Sequence, residues 1–411
     1  MWKLNKINNE NPYAVVLHIE NTGYGVIRSL ANLGIPIMAF QKDTKRPESK
    51  TRLCEKTNFD FNNFNELLSK LIEFSEKCTQ KPVLYITSDL YIEFVLDNRD
   101  IIDKYYILNY PSNEVIRMLL NKDKFYNYSL EHNLPVPKTY YIQSKEDVNY
   151  KIQNFEFPVI LKPNYFNKNW GANDLAKTYI INNMDELKYI YTMVSKTQSN
   201  VLIQDYIPGP DSNFEYCLIY FNDKSECISS FTGQKIRQWP IGLGSLSITK
   251  PTKNEKLKEY TIEFFKKLNY KGFGSLEFKK HSKNNNYYII EPTSGRPDSQ
   301  LYIATANNEN MPLIAYESLI GRELKNKPVL TLKNDVIYIE NWYDIFCSIK
   351  LLFNKEMSIK TYYQTKKGEK VYSLLNMNDI VVYFYSFIFI FRKMINKIKR
   401  IIKMKKVMNT T

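Results

Sequence analysis

The sequence predicts a mixed α/β fold that opens with a parallel strand–helix–strand unit. Three observations lead there. The stretch AVVLHIENTGYGVIRSLANLGIPIMAF (14–40) reads as strand, glycine turn, helix, strand. The stretch KPVLYITSDLYIEFVLDN (81–98) repeats strand then helix. Beyond residue 157, apolar runs at 157–166, 199–211, 215–221, 273–279 and 287–291 supply further strands, several of them stopped by Pro or Gly. Hydrophobic residues are 44% of the chain and aromatics 14%, the composition of a packed protein and not a disordered one. At 411 residues, two to three domains are expected.

Residues 14–19 form a continuous apolar run, as a buried parallel strand requires, and Gly34 is placed to close the helix before Ile35. The unit is Rossmann-like, but NTGYG lacks the GxGxxG spacing, so a tight turn without nucleotide is the preferred reading. In 81–98, Ser88 or Asp89 is the candidate helix cap. Residues 1–112 thus read as one α/β domain. NKDKFYNYSLEHNLPVPKTYYI (121–142) is a helix closed by Asn133, after which Pro135 and Pro137 force extended chain. A helix near 254–268 and a hairpin of 273–279 with 287–291 follow. No internal repeat is visible.

Composition excludes several chemistries. The five cysteines (Cys54, Cys78, Cys217, Cys227, Cys347) lie far apart, with no CxxC, so neither zinc spacings nor a disulfide framework is present. Three histidines are too few for a site built on several imidazole ligands. The first residues lack an apolar stretch of signal-peptide type, and a cytoplasmic protein is expected. Net charge is +14, but residues 391–411 hold eight Lys/Arg and no acid, leaving +6 for the first 390 residues.

The site candidates begin with two acids. In GSLEFKK, Leu276 and Phe278 point one way while Ser275, Glu277 and Lys279 point the other. The returning strand YYIIEP ends in Glu291, and a loop of 281–287 would set Glu277 directly opposite it. Cross-strand Cβ atoms are then about 5 Å apart, and two like charges at that distance call for a cation between them. Mg²⁺ suits, because it takes a few carboxylate oxygens and leaves positions for phosphate and water. A register slipped by one would instead leave both acids solvated. Lys162 ends an otherwise apolar strand, and Lys124 stands at a helix start; each is a candidate point charge for phosphate or an ordinary surface lysine.

The order DK, PVILKP, QDYIPG, LEF, IEP and then Arg296, over residues 114–321, resembles the ATP-grasp superfamily and in particular its carboxylate–amine ligases. The resemblance implies a two-lobed α+β grasp domain at 113–325, with a small lobe at about 113–198 and a large lobe at about 199–325. Residues 1–112 would be the domain preceding it, and 326–411 a C-terminal extension. It further implies that Lys124, Lys162 and Lys177 hold phosphates and that Gln204, Asp205, Tyr206 and Ile207 form the segment reading adenine. Glu277, Glu291 and Thr293 fall at the metal positions, for Mg²⁺ or Mn²⁺. Arg296 matches the arginine for the transferred phosphoryl group, and Lys235 and Arg237 face the acceptor, although an exposed basic strand edge explains those two as well. Two positions depart from the family pattern. Thr293 stands where Asn is usual, and NYFNKNWGANDLAK (164–177) has only Gly171 where a glycine-rich lid is usual, with Lys168 or Lys177 in reach of phosphate.

The resemblance implies ATP-dependent joining of a carboxylate to an amine, one of them an amino acid, through an acyl phosphate. Alternatives are a carbamoyl-phosphate or biotin-carboxylase type of reaction, or a non-catalytic ATP-binding scaffold. The tail, 380–406, begins with a 12-residue apolar run, short of the roughly 20 that span a bilayer. Beyond it Phe391, Met394, Ile395, Ile398, Ile401 and Ile402 share one helical face with basic residues opposite. That pattern fits a helix on an anionic membrane surface, or a helix docked on the body with a solvated basic side. Its interleaving is aliphatic, so nucleic acid is not an expected partner.

Overall fold

The computed structural model describes residues 10–408, except 42–43, 61–62, 145, 149–155, 165–174, 177, 199 and 323–335; of side chains 397–408 nothing is described. The sequence positions Lys168, Gly171 and Lys177 therefore lie outside the described residues.

The N-terminal unit runs β1 (Ala14–Leu17), α1 (Asn21–Leu30), β2 (Ile37–Gln41), β3 (Glu55–Asn58), α2 (Phe64–Lys77), β4 (Val83–Ile86), α3 (Asp89–Asp97) and α4 (Arg99–Tyr105). Its four strands are parallel, in the order β3-β2-β1-β4. NTGYG is not the separate turn expected but the first turn of α1. Gly23 explains the close fit, since a Cβ there would lie 2.1 Å from the carbonyl oxygen of His18 at the end of β1. α1 ends at Leu30, before Gly34, and the reversal uses positive φ at Asn32 and Gly34. Ser88 occupies the cap position of α3 without a side-chain cap bond.

Two helices follow, α5 (Asn113–Leu120) and α6 (Lys122–Glu131), each capped by its preceding residue, Ser112 and Asn121. A small antiparallel sheet comes next: β5 (Thr139–Ile142), β6 (Val159–Pro163), β7 (Tyr179–Ile181), helix α7 (Met184–Val194) and β8 (Val201–Asp205), in the order β5-β8-β6-β7. β8 completes this small sheet, so the chain leaves it after Asp205 and not near 199.

The large sheet holds β9 (Phe214–Phe221), β10 (Cys227–Trp239), β11 (Ser245–Thr252), then after α8 (Glu255–Lys267) β12 (Gly272–Lys280) and β13 (Tyr287–Ser294). Helices α9 (Leu301–Ala306) and α10 (Met311–Leu319), strand β14 (Ile337–Ile339), α11 (Asn341–Phe353), α12 (Ile359–Thr365) and β15 (Lys370–Tyr372) precede the final helix α13 (Ile380–Met408). The sheet order is β13-β12-β9-β10-β11-β14-β15.

Side-chain alternation divides the large sheet's two faces. Cys217, Ile219, Leu276 and Phe278 pack with Phe264 and Phe265 of α8 and with Leu119 and Phe125. On the other face Tyr216, Leu218, Tyr220 and Phe231 share a core with Val16, Tyr24 and Ile27 of the N-terminal unit, with Leu301 and Tyr316, and with Val382 of α13. The opposite face of the N-terminal sheet has its own core, including Leu67, Leu71, Tyr91 and Val95.

Candidate active site

The two acids meet, but by a route the sequence did not show. Near the loop, Lys280 pairs with Tyr287 and Phe278 with Ile289, a register that would put Glu277 opposite Ile290. A β-bulge between Glu277 and Phe278 shifts the ladder, and Glu277 pairs with Glu291. Ser275 and Thr293 both donate to Asp298 Oδ2, at 2.8 and 3.2 Å, so their strands present the same face there. Two residues on from Ser275 and two back from Thr293, Glu277 and Glu291 share that face.

Their surroundings differ. The Glu277 side chain is 24% exposed, and its Oε2 lies 2.5 Å from Lys235 Nζ. Burial raises its pKa above the usual carboxylate range; Lys235 opposes that, while Glu291 and Asp298 add to it. Glu291 is exposed. Thr293, a weak ligand beside a carboxylate, spends its hydroxyl on Asp298, an acid that strand alternation alone could not place because it lies past the strand end. Glu277 and Glu291 fit a divalent cation: they are like charges on one face, one of them raised in pKa by burial, and Mg²⁺ needs only one or two protein carboxylates. Among the described residues, no group of three or more His, Cys, Asp or Glu could hold a metal.

Glu291 borders a cleft of about 260 Å³ lined also by Lys162, Gln204, Lys122, Thr293 and Arg296. Lys162 Nζ donates to Gln204 Oε1 at 2.9 Å, and Gln204 Nε2 donates to Thr139 at 2.8 Å. Burial holds the Lys162 ammonium down to about 8, with Lys122 adding to the effect and Glu291 opposing it. Burial also raises Asp205. Ile207 is buried, and the Tyr206 ring stacks under Lys279 Nζ at 4.6 Å.

Lys124 is corrected by helix phase. It is exposed and does not line the cleft, whereas Lys122 does. Two residues turn a helix by about 200°, so the two lysines face opposite sides. Placing the cleft-lining lysine needed the helix start, which Asn121 sets by accepting from the Lys124 amide.

Arg237 is also corrected. Its Nε and NH2 donate to Asp344 Oδ1 at 3.1 and 2.7 Å, and NH1 donates to Thr365 at 2.6 Å. Lys366 takes the other carboxylate oxygen of Asp344 at 2.5 Å. A bulge between Lys235 and Arg237 sends the two side chains to different partners, so Arg237 ties β10 to α11 while Lys235 meets Glu277. Arg296 reaches across to the N-terminal unit: its Nε pairs with Asp89 Oδ1 and NH2 lies 3.3 Å from Oδ2. The cleft is thus closed on one side by the first helix turn after β4.

No family model matches the chain. It is 25% identical over 343 residues to a D-aspartate ligase of Enterococcus faecium, covering 79% of this chain and 80% of that one. A carbamoyl phosphate synthase large chain of Clostridium acetobutylicum is 24% identical over 243 residues, 56% of this chain but only 22% of that one. Among solved structures, a biotin carboxylase from Campylobacter jejuni in complex with a β,γ-ATP compound superposes with a TM-score of 0.60, at 15% identity, over 78% of this chain and 73% of that one. Sequence likeness along four-fifths of the chain and a shared fold agree: the chain resembles ATP-grasp proteins of the carboxylate–amine ligase type.

Proposed function

We propose that the chain joins a carboxylate to an amine at the expense of ATP, with an acidic amino acid such as D-aspartate as the carboxylate donor. The observation that carries the reading is the likeness to a D-aspartate ligase over most of both chains. The cleft, where Glu291, Lys162, Lys122 and Arg296 converge, agrees with it.

In this reading ATP lies in the cleft, with its base against residues 204–207 and its phosphates toward Lys162 and Lys122. Glu277 and Glu291 would hold Mg²⁺, which supplies charge neutralisation at the β- and γ-phosphates. A substrate carboxylate oxygen attacks the γ-phosphorus; the bond to the β,γ-bridging oxygen breaks, and ADP leaves. The amine nitrogen then attacks the acyl carbon, phosphate departs, and the amine gives up a proton. Arg296, oriented by Asp89, presents a planar fork to the acyl phosphate. Lys235 holds Glu277 in place. No covalent enzyme intermediate is needed, since positioning and electrostatics suffice.

The test is a hydroxylamine trap. Full-length protein with MgATP, D-aspartate and hydroxylamine should form aspartyl hydroxamate in step with ADP. ADP release that requires bicarbonate, with no hydroxamate from any amino acid, would favour the carbamoyl-phosphate or biotin-carboxylase type; binding of ATP without turnover on any pair would favour a scaffold.

The finer reading adds a place of work, the inner face of a membrane. α13 is half docked: Val382 and Ser386 are buried, while Phe384, Phe387, Ile388, Phe391 and Met394 are exposed. Trp342 of α11 packs edge-on to Phe387 and donates to Ser386 at 3.0 Å. α11 adds its own exposed row, Ile345, Ile349 and Phe353, at helical spacing. Large apolar side chains on two joined helices exceed what isolated surface residues provide, and the eight Lys/Arg after residue 390 complement anionic lipid. No described helix is long and apolar enough to cross a membrane.

A further inference from the structure

Three of the side chains that line the cleft are joined end to end across the small sheet: Gln204 on β8 stands between Thr139 on β5 and Lys162 on β6. Register puts Gln204 opposite Thr139 on one side and opposite Ile160 on the other. Lys162, two residues beyond Ile160, is thus its diagonal neighbour on the same face. The other face, with Val159, Leu161, Val201 and Ile203, packs against Leu187 and Val194 of α7.

The bonds between the three run in one direction only. The Lys162 ammonium can only donate, and does so to Gln204 Oε1 at 2.9 Å. The Pro137 carbonyl can only accept, and takes the Thr139 hydroxyl at 2.9 Å. Gln204 Nε2 therefore meets the lone-pair side of that hydroxyl, at 2.8 Å. The amide cannot turn over without setting its NH₂ group against the ammonium. Gln204 is also neutral. A carboxylate in its place would hold Lys162 as firmly but would cancel its charge, whereas the amide takes one of the three N–H groups and leaves the charge in force. Among the described residues Lys162 makes no other hydrogen bond or ion pair. We propose that Gln204 and Thr139 are positioning residues for Lys162: the locked amide fixes the ammonium at the cleft wall by a neutral contact and keeps its charge and its remaining N–H groups for an anion that enters the cleft. The inference rests on the ATP reading for the identity of that anion, a phosphate group of the nucleotide.

Calorimetric titration of the full chain tests it, with MgADP and with adenosine as probes. Thr139→Val keeps the shape of the side chain and removes the lock. It should weaken MgADP roughly 3- to 10-fold, the worth of one neutral hydrogen bond, and leave adenosine unchanged. Thr139→Ser restores the hydroxyl and should bind both probes as wild type does. Gln204→Glu should weaken MgADP roughly 10- to 100-fold, because the new carboxylate holds the ammonium by charge and repels phosphate at once. Three results overturn the proposal: equal weakening of both probes by Thr139→Val, Thr139→Ser as weak as Thr139→Val, or MgADP affinity within about twofold of wild type in Thr139→Val or Gln204→Glu. Should Thr139→Val fail to fold, Gln204→Glu decides alone. Wild-type protein that binds neither probe overturns the ATP reading itself, an outcome distinct because it needs no variant.

Discussion

Glu277 and Glu291 carry the same charge on paired strands, yet neutralising them has different consequences. Glu291 is exposed at the cleft, so Glu291→Gln should fold normally and lose roughly 10²–10³-fold in turnover, as removal of a main electrostatic contact does. Steady-state ADP release with unchanged melting temperature checks this, and near-normal turnover would sink the two-carboxylate site. Glu277→Gln takes the partner from buried Lys235 and should also lose about 3 kcal/mol of stability by urea denaturation. Lys162 supplies a pH test. Its folded-state value of about 8 lies below the ordinary lysine value, so the ammonium is present below pH 8 and lost above it. MgADP affinity should therefore be full below that pH and fall as pH rises through and beyond it. In Lys162→Met the fall should be shallower. The pairing of the two acids and the place of Lys162 on a strand were legible because strand alternation and an unexpected charge in an apolar run are local signals. Lys122 and Asp298 were not, since one depended on a helix phase set by Asn121 and the other on how the chain turns after β13.

At the scale of elements, the sequence marked strands better than it marked partners. The apolar runs at 157–166, 199–211 and 215–221 hold the strands 159–163, 201–205 and 214–221, but that 201–205 completes the small sheet follows from pairing with β5 and β6, which no single segment encodes. The bulge in the β12–β13 hairpin was equally hidden, because alternation fixes faces only up to a register slip. Arg237 illustrates the same limit. Its neighbour Lys235 has the charge pattern of a ligand pair, yet Arg237 belongs to a buried junction between β10, α11 and α12. Asp344 is 1% exposed, so Arg237→Met should destabilise the fold by about 3–5 kcal/mol in chemical denaturation. MgADP affinity per folded molecule should stay near wild type. A large loss of affinity with little loss of stability would restore Arg237 to the site.

Across the whole molecule, the tail couples surface to core. Asp379, just before α13, accepts from Tyr24 at 3.1 Å, from Thr51 at 2.5 Å and from the Arg52 amide at 3.1 Å. The helix docked on the body and the helix on a membrane were alternatives in the sequence, and the structure gives its first turns to the body while leaving an apolar row exposed. A membrane test must spare Val382 and Ser386, so truncation belongs after Phe391. Full-length protein should sediment with anionic vesicles at low salt and dissociate on the order of 1 M salt, where the Debye length is about 3 Å. The truncated chain, and Ile349→Asp in the full chain, should sediment less; equal sedimentation by both would sink the idea. The shared core also has a consequence for biosynthesis. The face of the N-terminal sheet that bears Val16, Tyr24 and Ile27 is covered by Leu301, Tyr316 and Val382. A ribosome making roughly 5–20 residues per second leaves that face bare for some 15–60 s after the sheet is complete. Nascent chains of this protein should therefore depend on holding chaperones until Val382 has emerged, and a chain that stops before Leu301 should yield aggregate instead of a shorter folded protein.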